Sequence, residues 1–237
     1  MLEELLTQLK ISAEELASQR VLSKQALLIL GKTYRTVNDQ LELRQRDSYE
    51  YDLLLVHSKR VALYSAELAK CYSEKVKAIP HKQFYEIVIA AALHDSEKLY
   101  WPQSLLSKAR TEITEHDWMR ITQHPDASAV FLERVTSREL SQGTLQIIRQ
   151  HHENIDGTGY PERLSGEKIC LGARIMRITD SYDTIVSERA YDAAKPPEVA
   201  LEKLKKGAGT KYDKMLVDLF EKDVPCAKKL EIASIKE

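Results

Sequence analysis

The sequence predicts an all-α protein, and three observations carry that expectation. Glycine and proline number only 8 and 7 in 237 residues. Apolar residues recur at spacings of three and four, as in Val61, Leu63, Ala66, Leu68 and Ala69, which is the period of one helix face. Helix-terminus signals fall between such runs: Ser12 with Glu15 and Thr114 with Asp117 as caps, Pro197 for a first turn and Gly207 for a stop.

Taken in order, Met1 to Ile11 reads as a short helix and Ala13 to about Arg46 as a longer one, together a helical hairpin forming an N-terminal module over residues 1–47. Its leucines, among them Leu2, Leu5, Leu6, Leu9, Leu27, Leu28 and Leu30, can pack on the rest of the chain or on a second subunit, so a homodimer is left open. Further helices are expected over Asp52–Glu74, Lys82–Leu99, Glu115–Arg134, Ser137–His151, Leu171–Ser187, Pro197–Lys206 and Lys211–Glu221. The main domain is placed at 48–224, and residues 225–237 form a frayed tail. Between the helices, Glu153 to Ile169 holds Gly157, Gly159, Pro161 and Gly166 in the longest stretch without helical pattern, which marks a functional loop.

Charge excludes several function classes. Lys plus Arg (35) nearly balances Asp plus Glu (36), so no large field draws the chain to a nucleic-acid polymer or an anionic membrane. Apolar runs such as Ala26–Leu30 and Leu53–Val56 fall far short of the roughly 20 residues that span a bilayer. The start, MLEELLTQLK, is not a secretory signal. Cys71, Cys170 and Cys226 are odd in number and widely spaced, against a disulfide framework or a thiolate zinc site, so a reducing cytoplasm is expected.

Histidine placement points to the chemistry. Only seven are present, yet His94-Asp95 and His151-His152 are tight pairs, and His57, His124 and Asp180 fall on other predicted helices or their ends. Imidazole nitrogen with carboxylate oxygen suits iron, manganese, nickel or zinc, and a carboxylate such as Asp95 can bridge two cations with its two oxygens. His94 and Lys98 are four apart, so a metal ligand and an ammonium that binds phosphate are expected on one helix face, the arrangement of a metal-assisted phosphoryl reaction. His81 and His116 are expected at the surface, and Trp101 and Trp118 serve packing more readily than a guanine pocket.

These residues resemble a known family. His94-Asp95-Ser96-Glu97-Lys98 is similar to the HD-x-G-K motif of bacterial HD-GYP proteins, His124-Pro125 to their HP step, and His151-His152-Glu153-Asn154-Ile155-Asp156-Gly157-Thr158-Gly159-Tyr160-Pro161 to their HHE-x-x-DG-x-GYP loop. The likeness continues through Leu171–Ile175, Asp180-Ser181-Tyr182-Asp183, Arg189-Ala190-Tyr191 and Gly207–Thr210, covering about Ser48 to Asp223. It implies an HD-domain helical bundle that cuts cyclic di-GMP to linear pGpG with Asp95 and Lys98 in the catalytic machinery. It also implies that His57, His94, Asp95 and Asp180 hold one metal, and that Asp95, His124, His151 and His152 hold its neighbour. Iron or manganese is the expected pair, with nickel or zinc as alternatives. Lys98, Tyr160 and Arg189 are the implied contacts to the dinucleotide, and the GYP loop is open to a signalling-protein partner.

Three departures from the family pattern matter. Leu53 stands where some members carry a glutamate for a third metal, so no third metal is expected. Glu97 replaces a glycine; it is expected to be solvated, the alternatives being a lean toward a metal or repulsion of substrate. Asp192 replaces a basic residue and removes an expected phosphate contact. These two added charges keep alive a second reading, a receptor or scaffold that binds the ligand without cutting it; a third is a metal phosphohydrolase acting on another nucleotide.

Overall fold

The computed structural model describes residues 2–24, 27–32, 49–187 and 193–224. Among them no strand forms, and the ordered elements are helices: α1 (Leu2–Gln8), α2 (Ala13–Ser18), α3 (Tyr49–Lys75), α4 (His81–Leu93), α5 (Gln103–Leu106), α6 (Glu115–Val135), α7 (Gln142–Gln150), α8 (Leu171–Val186), α9 (Pro197–Lys206) and α10 (Lys214–Asp223). Short 3₁₀ turns cover Ser96–Tyr100, Arg110–Glu112 and Gly166–Lys168.

Helix α4 is the centre of the molecule. Its second half, Ile87 through Leu93, is buried and apolar on every side, and α3, α7 and α8 pack around the helix. Helix α3 lies against both α4 and α8, α6 closes on α7, and α9 and α10 complete the far side of α8. Tyr64, Tyr182 and Phe220 meet edge to face at centroid distances of 5.0–6.3 Å and tie α3, α8 and α10 together. No helix of the described residues is long and apolar enough to cross a membrane.

The caps agree with the sequence where side chains make them. Ser12 with Glu15 and Thr114 with Asp117 form reciprocal capping boxes, Pro197 opens α9 and Gly207 closes it. The long second helix does not form. Helix α2 ends at Ser18, Arg20 turns into the left-handed region at φ 54°, and the Val21 N–H returns to the Leu16 carbonyl at 3.0 Å. The same closure ends α1, with Lys10 at φ 56° and the Ile11 N–H on the Leu6 carbonyl at 2.9 Å. In both closures the next residue, Ile11 or Val21, is buried, so apolar contact offsets a left-handed residue that is not glycine. Residues 27–32 are helical again, and the rest of the expected run, 33–46, lies outside the described residues, as does the tail 225–237.

The N-terminal segment packs on the body of the chain. Leu5, Leu6, Ile11, Leu16, Val21, Leu22, Leu27 and Leu30 belong to one continuous core with α3, α4, α6 and α7. Two polar contacts sit at its edge: the Lys59 ammonium on Glu4 at 2.6 Å, and the Ser141 N–H donating to the Val21 carbonyl at 3.0 Å.

The helix expected over Lys82–Leu99 also divides. Helix α4 stops at Leu93, and Asp95 (φ −101°, ψ 18°) turns the chain into the 3₁₀ segment Ser96–Tyr100. His94 and Lys98 therefore do not share a helical face. The break brings Lys98 Nζ back to Asp95 Oδ2 at 2.8 Å. Elsewhere the differences are at the ends: α7 begins at Gln142 behind the Ser141 cap, and α10 at Lys214 behind Asp213.

Candidate metal centre

Each site histidine sits at a helix end or faces the bundle axis, and four of the five have one ring nitrogen committed elsewhere. His94 Nδ1 lies 2.8 Å from the Ala91 carbonyl, His124 Nδ1 2.6 Å from that of Ile121, and His151 Nδ1 2.6 Å from that of Ile148. A carbonyl only accepts, so each Nδ1 carries the proton. In neutral rings the lone pair is then on Nε2. His57 reaches the same result by another partner: its Nδ1 is 2.7 Å from Asp183 Oδ2. His152 differs, with Arg177 Nη1 3.5 Å from its Nδ1 and the Tyr160 ring over it at 4.8 Å.

The Nε2 atoms gather on Asp95. Its Oδ1 lies 3.2 Å from His124 Nε2, while its Oδ2 lies 3.4 Å from His94 Nε2 and 4.0 Å from His57 Nε2. Asp180 Oδ1 is 3.2 Å from His57 Nε2, and His124 Nε2 is 3.2 Å from His151 Nε2. The donor atoms fall into overlapping groups close enough for one ion each: His57, His94 and Asp180; His94, Asp95 and His151; His124, His151 and His152. The structure thus brings together all seven residues expected as ligands.

The electrostatics favour the ligand forms. Burial alone would push the Asp95 carboxyl up, but the His94 imidazole and the Lys98 ammonium outweigh it and hold it well below the usual carboxylate range. Asp180 is held down in the same way, burial being overcome by His57. Burial, with neighbouring imidazoles, pushes His151 and His152 well below the usual histidine range, and burial with the Lys98 charge lowers His124. His94 is the exception: Asp95 overcomes its burial and raises it. The carboxylates draw positive charge to that ring.

A cation fits this arrangement on two further observations. His94 Nε2 and Asp95 Oδ1 are buried without a hydrogen-bond partner, a state that costs about 1–3 kcal/mol per group unless something else satisfies it. The facing lone pairs of His124 and His151 also need a positive centre between them. The donors are nitrogen and oxygen only; Cys71 and Cys170 are in none of the groups.

A second layer of residues fixes the first. Asp183, fully buried, accepts from Arg60 Nε at 2.5 Å and Nη2 at 3.0 Å as well as from His57, an orienting role that the sequence reading did not assign. The signal was present as Asp180 and Asp183 three apart on α8, facing His57 and Arg60 three apart on α3. Buried Glu153 accepts the N–H groups of Glu162 at 2.7 Å and Leu164 at 3.0 Å, so it braces the loop from inside. Asp156 braces it from outside by accepting from the Thr158 N–H and hydroxyl. At Gly159 an added Cβ would stand 2.3 Å from the Asn154 nitrogen and 2.5 Å from Glu153 Cα, so the loop folds only around a bare backbone.

The remaining expected residues sort clearly. Tyr160 lies between His152 and the exposed Trp118, whose ring it meets at 6.1 Å. Glu97 is not solvated as expected: the Trp101 Nε1–H donates to its carboxylate, and Arg120 Nη2 lies 3.5 Å from it. Those partners exist because the 3₁₀ turn carries the side chain toward α6. Trp101 is buried beside His124, and His81 and His116 are exposed. Arg189, Tyr191 and Asp192 lie outside the described residues.

Comparison with known proteins accords with this geometry. A family model described as HD domain matches residues 34–216. A 3′3′-cGAMP-specific phosphodiesterase 2 of Vibrio cholerae is 30% identical over 202 residues, covering 81% of this chain and 37% of that protein. The cyclic di-GMP phosphodiesterase response regulator RpfG of Xanthomonas campestris is 37% identical over 132 residues, covering 56% of this chain and 34% of that protein. The chain thus spans little more than a third of the length of either relative. Among solved structures, an HDG"Y"P protein of Bdellovibrio bacteriovorus superposes with a TM-score of 0.56 at 17% identity, covering 88% of this chain and 70% of its own, and shares the fold. With the match spanning most of the sequence and the 151–161 loop intact, the chain belongs to the HD-domain family and to its HD-GYP branch.

Proposed function

We propose that this chain is a metal-dependent phosphodiesterase that opens a cyclic dinucleotide, cyclic di-GMP in the first instance, to linear pGpG. The single observation that carries the reading is Asp95, whose two oxygens face two different sets of buried donors. His57, His94, Asp180 and Asp95 Oδ2 would hold one ion, and His124, His151, His152 and Asp95 Oδ1 the other. When bound, such a pair supplies Lewis-acid polarisation of a phosphate and activation of water. An all-nitrogen-and-oxygen donor set favours iron or manganese over zinc held by thiolates, with nickel or zinc in the same donors as alternatives. The relatives named for cyclic di-GMP and 3′3′-cGAMP support the substrate class.

The chain's own residues have definite tasks in this reading. Asp183 and the three backbone carbonyls hold the imidazoles in one tautomer, so no reorganisation is needed as charge develops. Lys98, tethered to Asp95 Oδ2 and part exposed, is placed to meet a non-bridging phosphate oxygen. Burial pushes the Tyr160 phenol far above its usual range, so it stays protonated and can donate to the ligand while its ring covers His152. Glu97 is paired with Trp101 and Arg120, and this partial neutralisation weighs against its repelling substrate.

Incubating iron- or manganese-loaded protein with cyclic di-GMP under reducing conditions tests the proposal. Linear product is expected from the wild type and none from a His94→Ala, Asp95→Ala double variant. Equal traces from both would reject the enzyme, and ligand binding without turnover would favour the receptor.

A further inference from the structure

Beside the metal centre lie two cations, Arg177 and Lys211, that make no salt bridge to a carboxylate among the described residues. Arg177, on α8 one turn before Asp180, donates from Nε and Nη2 to the Asn154 side-chain oxygen at 3.2 and 3.1 Å, and Nη1 lies 3.4 Å from the Ser181 hydroxyl. None of its partners among the described residues is a carboxylate. Lys211 Nζ has neither a salt bridge nor a hydrogen-bond acceptor there. Both cations lie over the ring of buried Tyr212, Arg177 Cζ at 5.9 Å and Lys211 Nζ at 5.3 Å from its centroid.

These positions are fixed by the backbone. The segment carrying Lys211 is closed by its own N–H on the Gly207 carbonyl at 2.8 Å, with Gly209 at φ 83°. It is tied to the loop by the Asp156 N–H on the Thr210 carbonyl at 2.9 Å and the Ile155 N–H on the Lys211 carbonyl at 3.4 Å. Asn154, which steers Arg177, belongs to that loop two residues after His152. Burial first, then repulsion from the Arg177 and Arg110 guanidinium groups against the pull of Asp180, brings the lysine down to about 8. Like charges held beside a phosphate-handling centre, with no carboxylate paired to them and only the longer-range pull of Asp180 against them, are the arrangement that an anion relieves.

A cyclic dinucleotide carries two phosphodiesters, and among the described residues the metal centre with Lys98 accounts for one of them. We propose that Arg177 and Lys211 form the seat of the second phosphodiester, the one that is not cut, and so select cyclic dinucleotides over diesters with a single phosphate. This inference rests on the phosphodiesterase reading above. Arg177 is a contact and a brace at once, since it also holds Asn154; Lys211 has no such second task.

The test compares the manganese-loaded chain acting on cyclic di-GMP and on bis(p-nitrophenyl) phosphate, which has one phosphate. Lys211→Gln is expected to raise KM for the cyclic dinucleotide about tenfold with kcat within about threefold, and Lys211→Arg to restore it. The ratio of kcat/KM between the two substrates falls accordingly. Equilibrium dialysis with cyclic di-GMP reads the same loss as a Kd about tenfold weaker. An unchanged KM and Kd, or equal losses on both substrates, would overturn the seat. Wild type that cuts only the small diester would sink the substrate reading instead, and the dialysis arm then decides the seat: weaker binding by Lys211→Gln supports it, equal binding or none by the wild type overturns it.

Discussion

His124 Nε2 and His151 Nε2 stand 3.2 Å apart although each ring has already given its Nδ1 proton to a main-chain carbonyl. In water two lone pairs would not be held so close, and here both rings are buried and pushed toward the neutral form. The bundle therefore stores an unfavourable contact that a cation converts into two bonds. Adding manganese or ferrous ion to metal-free protein is expected to raise Tm, by about 2.7 kcal/mol of stabilisation at a hundredfold excess over Kd. Differential scanning calorimetry with and without metal checks this, and His151→Ala is expected to reduce the shift.

Asp183 touches no proposed ligand atom, yet it sets the His57 tautomer and pairs with Arg60. Asp183→Asn keeps the shape and loses the charge. Metal affinity is expected to fall by about 10–100-fold. A metal titration followed by competition with a chelator measures it; an affinity equal to that of the wild type would remove Asp183 from the site.

The loop is held by backbone geometry as much as by side chains. Gly159→Ala forces a Cβ into the main chain of Glu153 and Asn154, which must move. A displacement of about 1 Å at His152 and Tyr160 is expected to cost roughly 100-fold in kcat/KM with the helical bundle intact. Far-ultraviolet circular dichroism and initial rates on the same sample separate the two effects.

Lys211 gives the proposal a pH dependence. Its folded-state pKa is lowered to about 8, so the ammonium is present below that pH and is lost as pH rises through it. An anion in the seat favours the charged form, hence affinity for the cyclic dinucleotide falls as pH rises from 7 to 9. Arg177, Arg110 and Asp180 are the charges that act on it. Lys211→Arg, whose charge does not titrate in this range, is expected to flatten the Kd profile measured by dialysis.

Much of this was legible in the residues. His94-Asp95, His151-His152 and the glycine-rich loop announced the centre because metal ligands cluster in short motifs. The caps at Ser12 and Thr114 could be read because their side chains make the bonds. The closures at Lys10 and Arg20 could not, since a left-handed residue that is not glycine leaves no compositional mark. Nor could the break after Leu93, where periodicity runs on while Asp95 turns the chain. Arg177, Asn154 and Lys211 were missed for another reason: each is an ordinary polar residue in sequence, and only the packing of α8, the loop and the 207–212 turn around Tyr212 brings them together.

The most direct measurement is the metal content of protein purified without chelators and then reconstituted with iron or manganese under reducing conditions. Two ions per chain are expected, falling in Asp95→Ala, the variant that removes the carboxylate shared by both sets of donors. A wild-type chain that holds no transition metal before or after reconstitution would contradict the reading of these buried histidines and carboxylates as a cation site.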